Sequence, residues 1–398
     1  MPGGACLAPT RGVTSVPMAS DSPLALSGLR VSATYRITGS EAEARTRARL
    51  ICIDQTVEAS EEAIPSGRVR EQLVGRLDAF DKGASGHHEA TISYPAELLS
   101  EGMAPLLNLL FGISCLRPGI RLLRFDPPPT ALQGTGPRFG QAGLRQLAGA
   151  PDRPLVCGVL KPVGLSSEAL ADLAYRFALG GLDLVKDDQA LSDQAWCRFD
   201  ERVARCAEAV ARANRDTGGR CRYLPHVTGP PETMRRRARV AKAAGAGGLL
   251  MAPGLSGFEA LRDIAGDEAI GLPILCHPAL LGCLAIAPDS GMAPAVVFGQ
   301  LPRLAGADAS LYPIYDAGFL LSKEDCRAVQ QAAIQPWGRC QPIFPTAAGR
   351  MGLARLKEML DFYGSDVLFV LGSSIQADPR GLAAACRAFM EELRRAVS

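Results

Sequence analysis

No two of the twelve cysteines in this 398-residue chain stand in a CxxC pair, so nothing in their spacing points to a metal-thiolate site or a disulfide framework. They are dispersed, and several lie in apolar strand-like runs, such as Cys157 in LVCGVL and Cys276 in PILCHP. They read as small buried hydrophobes in a reducing compartment. Charge of one sign is also missing. The 43 basic and 41 acidic residues are scattered to a net +2, and no basic stripe interleaved with aromatics marks a nucleic-acid partner. No apolar run is long enough to span a bilayer, which excludes a membrane helix. The opening segment, MPGGACLAPTRGVTSVPMASDSPLALS, lacks the continuous apolar stretch of a secretory signal. A loosely ordered tail over residues 1–28 and a cytoplasmic location are expected.

What is present is ordinary globular material, 47% hydrophobic and 21% charged, in a length that suggests two domains. Over residues 29–150, LRVSATYRI alternates like a strand and EAEARTRARLICI reads as a helix. REQLVGRLDAF and HHEATISYP alternate again, AELLSEGMAPLLNLLFG is helical, and IRLLRFDPPP is a strand stopped by prolines. This order predicts a ferredoxin-like α+β domain. Over residues 151–398 the strand candidates are LVCGVLK, LDLVKD, CRYLPH, GGLLMA, LPILCH, ADASLYP, QPIFPT and VLFVLG, each followed by a helical stretch. Eight such units predict an α/β fold of the (β/α)8 TIM-barrel kind. A doubly wound sheet is the alternative, but GVLKPVGL carries no Gly-rich dinucleotide fingerprint.

Barrel chemistry sits at the carboxyl ends of the strands. That rule selects Lys161, then Lys186, Asp187 and Asp188, then His226, His277, Thr346, and the Gly372, Ser373, Ser374 turn. Lysine beside aspartate at a buried strand end either forms an ion pair closing the barrel or binds a ligand. The Gly372–Ser374 amides either cradle a phosphate or form a plain βα turn, and Arg350 either joins them or is solvated. A histidine ending a strand, like His277, is either a satisfied core residue or a functional one.

GGLDLVKDD and GVLKPVGLS resemble the metal-site strand and its predecessor in the RuBisCO superfamily. GPRFG at 136–140 is similar to the domain junction of RuBisCO-like proteins, YPAELLSEGMAPLLNLLFGIS to their amino-domain helix, and ICIDQTVE to a loop reaching into a neighbouring subunit. The resemblance runs from about residue 29 to 396 in unbroken order. It implies that Lys186 reacts with carbon dioxide to give a carbamate that ligates Mg2+ with Asp188, and with Gln189 where the family has glutamate. It also implies an enolate chemistry in which Lys161 shuttles the proton, with His277 a second catalytic residue and His226 a possible one. Thr346, Arg350, Gly372, Ser373 and Ser374 would bind substrate phosphate. A homodimer would place Asp54, Gln55 and Thr56 in the partner's site.

Val163, Gln189, Ile113 and Pro278 replace polar or charged residues of the carboxylating enzyme, and YPIYDAGFLLS has no counterpart of its mobile lysine loop. These departures point away from carbon fixation. KDDQALSDQ, YLPHVTGP, HPALLG and FLLSKEDC look similar to a branch acting on 3-oxo-isoapionate 4-phosphate. The expected activity is therefore that of a carbon-carbon lyase, decarboxylating a phosphorylated keto-sugar acid in carbohydrate catabolism. Two alternatives stand beside it: a methionine-salvage enolase or isomerase on a methylthio-pentulose phosphate, and a degenerate sugar-phosphate-binding barrel.

Overall fold

The computed structural model describes residues 24–83, 86–99, 102–128 and 136–397. Of the tail expected over 1–28, residues 1–23 lie outside the described residues. Strands β1 (Arg30–Ile37), β2 (Arg76–Lys82), β3 (His88–Pro95) and β4 (Ile120–Asp126) form an antiparallel sheet in the order β4-β1-β3-β2. Helices Glu41–Asp54 and Met103–Phe111 are the connections, which makes this the ferredoxin-like order. Alternation builds the core: Val31, Ala33, Tyr35 and Ile37 are all essentially inaccessible. The first helix starts at Ser40, whose hydroxyl accepts from the Glu43 amide while Glu43 accepts from the Ser40 amide.

Two elements differ from the sequence reading. REQLVG is not extended: Val69–Leu73 is a π-helical turn, and β2 begins only at Arg76. Gly75 is the pivot, since a Cβ there would sit 3.0 Å from the Cys52 backbone. The second helix does not begin at Ala96. Gly102, at φ +100, breaks the chain, and the Met103 amide is capped by Glu259 from the second half of the molecule.

The barrel strands are β5 (Leu155–Leu160), β6 (Leu184–Asp187), β7 (Arg222–Leu224), β8 (Leu249–Met251) and β9 (Ile274–Cys276). After the two-residue β10 (Gly291–Met292) come β11 (Ala309–Pro313), β12 (Phe344–Ala348) and β13 (Leu368–Leu371). Eight of them pair in parallel in the order β7-β6-β5-β13-β12-β11-β9-β8. The ring closes between β7 and β8 through Gly247 N to Tyr223 O (2.9 Å), Leu250 N to Pro225 O (2.9 Å) and Val227 N to Leu250 O (3.0 Å). All eight strand candidates are therefore barrel strands, and the open sheet is excluded.

The barrel is filled, not hollow. Leu155, Cys157, Val159, Leu184, Leu224, Leu250, Leu275, Leu311, Phe344, Leu368 and Val370 pack together inside. Helix Gly140–Ala148 places Leu144 and Ala148 beneath them, and Asp308 holds that helix by accepting from the Phe139 and Gly140 amides. No pattern in the sequence marks β10, which adds in parallel to β4. Beside it Arg121 donates to the Ala285, Ala287 and Pro288 carbonyls. Among the described residues no helix is long and apolar enough to cross a membrane. The eleven described cysteines are free; nine are buried, while Cys115 and Cys283 are exposed.

Candidate active site at the barrel mouth

Strand periodicity decides which polar residues reach the mouth. Leu184 belongs to the barrel interior and Val185 to the layer outside it, so Lys186 and Asp188 point inward and Asp187 outward. Asp187 is fully buried, accepting from Arg202 Nε (3.2 Å), Tyr223 OH (2.7 Å) and the His226 amide (3.0 Å). The ion pair expected of a lysine beside aspartate is thus made by Asp187 with Arg202, itself fully buried. Lys186 is left without that partner.

Lys186 is 2% exposed, and its Nζ donates to the Asp187 carbonyl at 3.1 Å. Burial first, with Lys161 adding repulsion against the pull of Asp188, lowers its pKa from the usual ammonium range. Asp188 is half-buried, its Oδ1 accepting from the Ala190 amide at 3.0 Å. Gln189 beside it is also half-buried. Lys161 ends β5, half-buried, with Nζ 3.8 Å from where a Cβ on Gly372 would stand. Lys161 Nζ therefore lies against the turn that follows β13.

The two histidines have opposite tautomers. His226, 3% exposed, has Nδ1 at 3.0 Å from the Leu191 carbonyl. A carbonyl only accepts, so Nδ1 carries the hydrogen and Nε2 the lone pair. That Nε2 is buried with no hydrogen-bond partner. At His277 the Ala279 amide donates to Nδ1 at 3.2 Å, so in the neutral ring Nε2 carries the hydrogen. Burial, followed by the nearby basic side chains of Lys186, His226 and Lys161, pushes the His277 pKa down to about 2. His226 is likewise lowered, by burial.

Other expected site residues divide. Gly372 and Ser373 open the short helix Ser373–Gln376 at the end of β13, but the Ser374 hydroxyl donates to the Met351 carbonyl at 3.0 Å and anchors the turn. Arg350, exposed and at φ +49, has its guanidinium 3.7 Å from where a Gly318 Cβ would stand, so it faces the loop after β11. Thr346 is a correction. It pairs with Leu368 and Leu311 inside the packed barrel, fully buried, with its hydroxyl donating to Phe344 O at 3.2 Å. Gln55 is another: its amide donates to Asn108 O and Leu109 O and accepts from Ser114 N, all within its own domain. Asp54 pairs with Arg117 at 2.6 Å, and Thr56 donates to Cys52 O. Sequence reasoning missed Arg202, Tyr223 and the Leu191 carbonyl. Strand alternation applied residue by residue would have separated Asp187 from Asp188.

Among the described residues no three His, Cys, Asp or Glu side chains converge to hold a metal ion. The candidate donors at this end of the barrel are the Asp188 carboxylate and the partnerless His226 Nε2, with Gln189 following Asp188 in the same loop. Burial moves Lys186 in the direction of the neutral amine, the form that adds carbon dioxide and so gains oxygens. With that modification the set fits a hard divalent cation.

Ionisable side chains gather at the carboxyl end of a closed (β/α)8 barrel that is preceded by a ferredoxin-like antiparallel sheet, the end at which barrel enzymes carry their chemistry. Residues 141–396 match the family "Ribulose bisphosphate carboxylase large chain, catalytic domain". The chain is 38% identical to the 5-methylthioribulose-1-phosphate isomerase of Rhodospirillum rubrum, over 87% of this chain and 91% of that one. It is 31% identical to the 2,3-diketo-5-methylthiopentyl-1-phosphate enolase of Microcystis aeruginosa, over 88% and 90%. The crystal structure of the Rubisco-like protein from Rhodopseudomonas palustris superposes with a TM-score of 0.84 at 37% identity, covering 92% of this chain and 98% of that one. The chain belongs to the ribulose bisphosphate carboxylase large-chain family, as a RuBisCO-like protein.

These relatives overturn the decarboxylase reading. The named activities among them are an isomerase and an enolase, and neither name describes loss of a carboxyl group. The lyase class and the role in carbohydrate catabolism expected from the sequence fall with it.

Proposed function

We propose that this protein catalyses proton transfer on a methylthio-pentulose 1-phosphate, as an isomerase or enolase of the methionine-salvage type. The observation that carries the reading is the pair of oppositely tautomeric histidines facing Lys161 and Lys186 across one mouth. Moving a proton between neighbouring carbons needs one group to carry it and another to stabilise the enolate oxygen meanwhile. Lys161 Nζ lies beside Gly372, so a phosphate held by the first-turn amides of Ser373 and Ser374, with Arg350, would set the adjacent carbon against that lysine. Lys161 takes the proton α to the carbonyl, and the Nε2–H of His277 donates to the developing enolate oxygen. Lys161 then returns that proton to the neighbouring carbon while His277 holds the enolate oxygen. Lys186, as a carbamate, with Asp188 and Gln189 would hold Mg2+, which when bound polarises the substrate carbonyl. A second copy of the chain, bringing Asp54 and Thr56 to the mouth, completes the site.

The test is to incubate the protein with bicarbonate, Mg2+ and each of the two phosphates named for its relatives, in D2O, following carbon-bound hydrogen by NMR. Exchange or product formation is expected, with Lys161→Met lowering the rate by about 10²-fold or more. If the unaltered protein exchanges no carbon-bound hydrogen in either substrate, the reading falls.

A further inference from the structure

Among the described residues that follow the barrel strands, His226 is buried with one ring nitrogen left without a partner. Its Nε2 lies within the protein without a hydrogen bond, and burying such an acceptor is unfavourable unless something occupies it. Everything else about the ring is fixed. Leu191 O accepts from Nδ1 at 3.0 Å, and Asp187 accepts from the backbone amide at 3.0 Å. Asp187 is in turn held by Arg202 and Tyr223. A backbone carbonyl behind an imidazole, setting its tautomer and aiming its other nitrogen, is the arrangement that supports metal-bound histidines.

Its place in the barrel is equally specific. Lys186 on β6 pairs with Leu224 on β7, and just beyond the ends of those strands Asp188 opens the next loop while His226 bridges Leu250 on β8. Leu191, which orients the ring, belongs to the loop that carries Asp188 and Gln189. The first of those two is a carboxylate, the second only a neutral amide.

We propose that His226 Nε2 is a ligand to the divalent cation held by Lys186 and Asp188, and that this nitrogen turns the centre's preference from Mg2+ towards Mn2+ or Co2+. The inference rests on the metal-site reading above. Mg2+ prefers oxygen donors in octahedral geometry, whereas imidazole suits the later first-row ions. One nitrogen in place of one oxygen therefore weakens Mg2+ relative to Mn2+.

The experiment uses the full-length protein in bicarbonate, titrated separately with Mn2+ and Mg2+, with no substrate and no turnover to read. Pulsed electron paramagnetic resonance of bound Mn2+ should show nitrogen-14 coupling that disappears in His226→Ala and in His226→Gln. Mn2+ affinity should exceed Mg2+ affinity, and His226→Ala should lower the former by about tenfold or more. His226→Gln, which keeps an acceptor on a chain of similar size, guards against a folding defect, and circular dichroism melts of each variant check it. If Mn2+ binds, requires Lys186 and shows no nitrogen coupling, His226 is not a ligand although the metal site stands. Coupling that persists in both variants assigns the nitrogen elsewhere, His277 included, and overturns the inference. If the unaltered protein binds neither ion, the metal-site reading fails, and this inference with it.

Discussion

His277 shows how a site residue's chemistry is set by what surrounds it. Its ring accepts from the Ala279 amide and lies among Lys161, Lys186 and His226, and its pKa falls to about 2. In the unfolded chain the same imidazole titrates near its ordinary value of about 6.5. Between those values the unfolded state binds the extra proton, so stability rises with pH, and it is lost as pH falls below about 6.5. For one proton the slope approaches about 1.4 kcal/mol per pH unit. We expect urea midpoints of the metal-free protein to drop from pH 7 to pH 5, and the drop to be shallower in His277→Asn. Equal pH dependence in both proteins would show that His277 does not carry the effect. At this scale the sequence showed which residue types end each strand. It did not show that Asp187 turns to Arg202 and Tyr223, because those partners lie 15 and 36 positions away along the chain.

Among the elements, β5 meets its covering helix, Ser167–Leu179, at an unusually close contact. A Cβ on Gly158 would lie 2.6 Å from the Phe177 ring, which is fully buried. Gly158→Ala should therefore destabilise by about 1–3 kcal/mol through overpacking. Phe177→Leu in the same chain should recover part of that loss, giving a coupling energy in a double-mutant cycle from denaturant unfolding. Additive effects would place the strain elsewhere. The eight barrel strands were legible because continuous apolar runs flanked by helices mark strands buried on both faces. The π-helical Val69–Leu73 and the two-residue β10 were not. The first carries an alternating pattern that local propensity reads as a strand. The second is too short to have any pattern, and pairs only because Arg121 and β4 present an edge to it.

For the whole molecule, the rim of the barrel mouth carries apolar side chains facing solvent in the single chain: Trp196 at 57% exposure, Leu280 at 62%, Phe319 at 61% and Leu320 at 80%. Such a rim around charged groups suits a surface covered by another subunit. If Asp54 and Thr56 act in the partner's site, mixing two inactive variants, Lys161→Met and Asp54→Ala, under subunit exchange should restore activity. Random pairing gives about a quarter of the sites intact. Sedimentation should show a species at twice the chain mass. No recovery despite demonstrated exchange would place each site within one chain.

Local pattern alone determined the element order, the barrel and the strand-end positions of Lys161, Lys186, Asp188, His226 and His277, since these depend on periodicities of two and 3.6 residues within one segment. The three-dimensional packing decided the rest. It put Thr346 into the core and committed Gln55 to its own domain. It also gave Asp187 to Arg202 and left His226 Nε2 without a partner. Those outcomes depend on hydrogen bonds and burial between segments far apart in the chain, which no periodicity encodes.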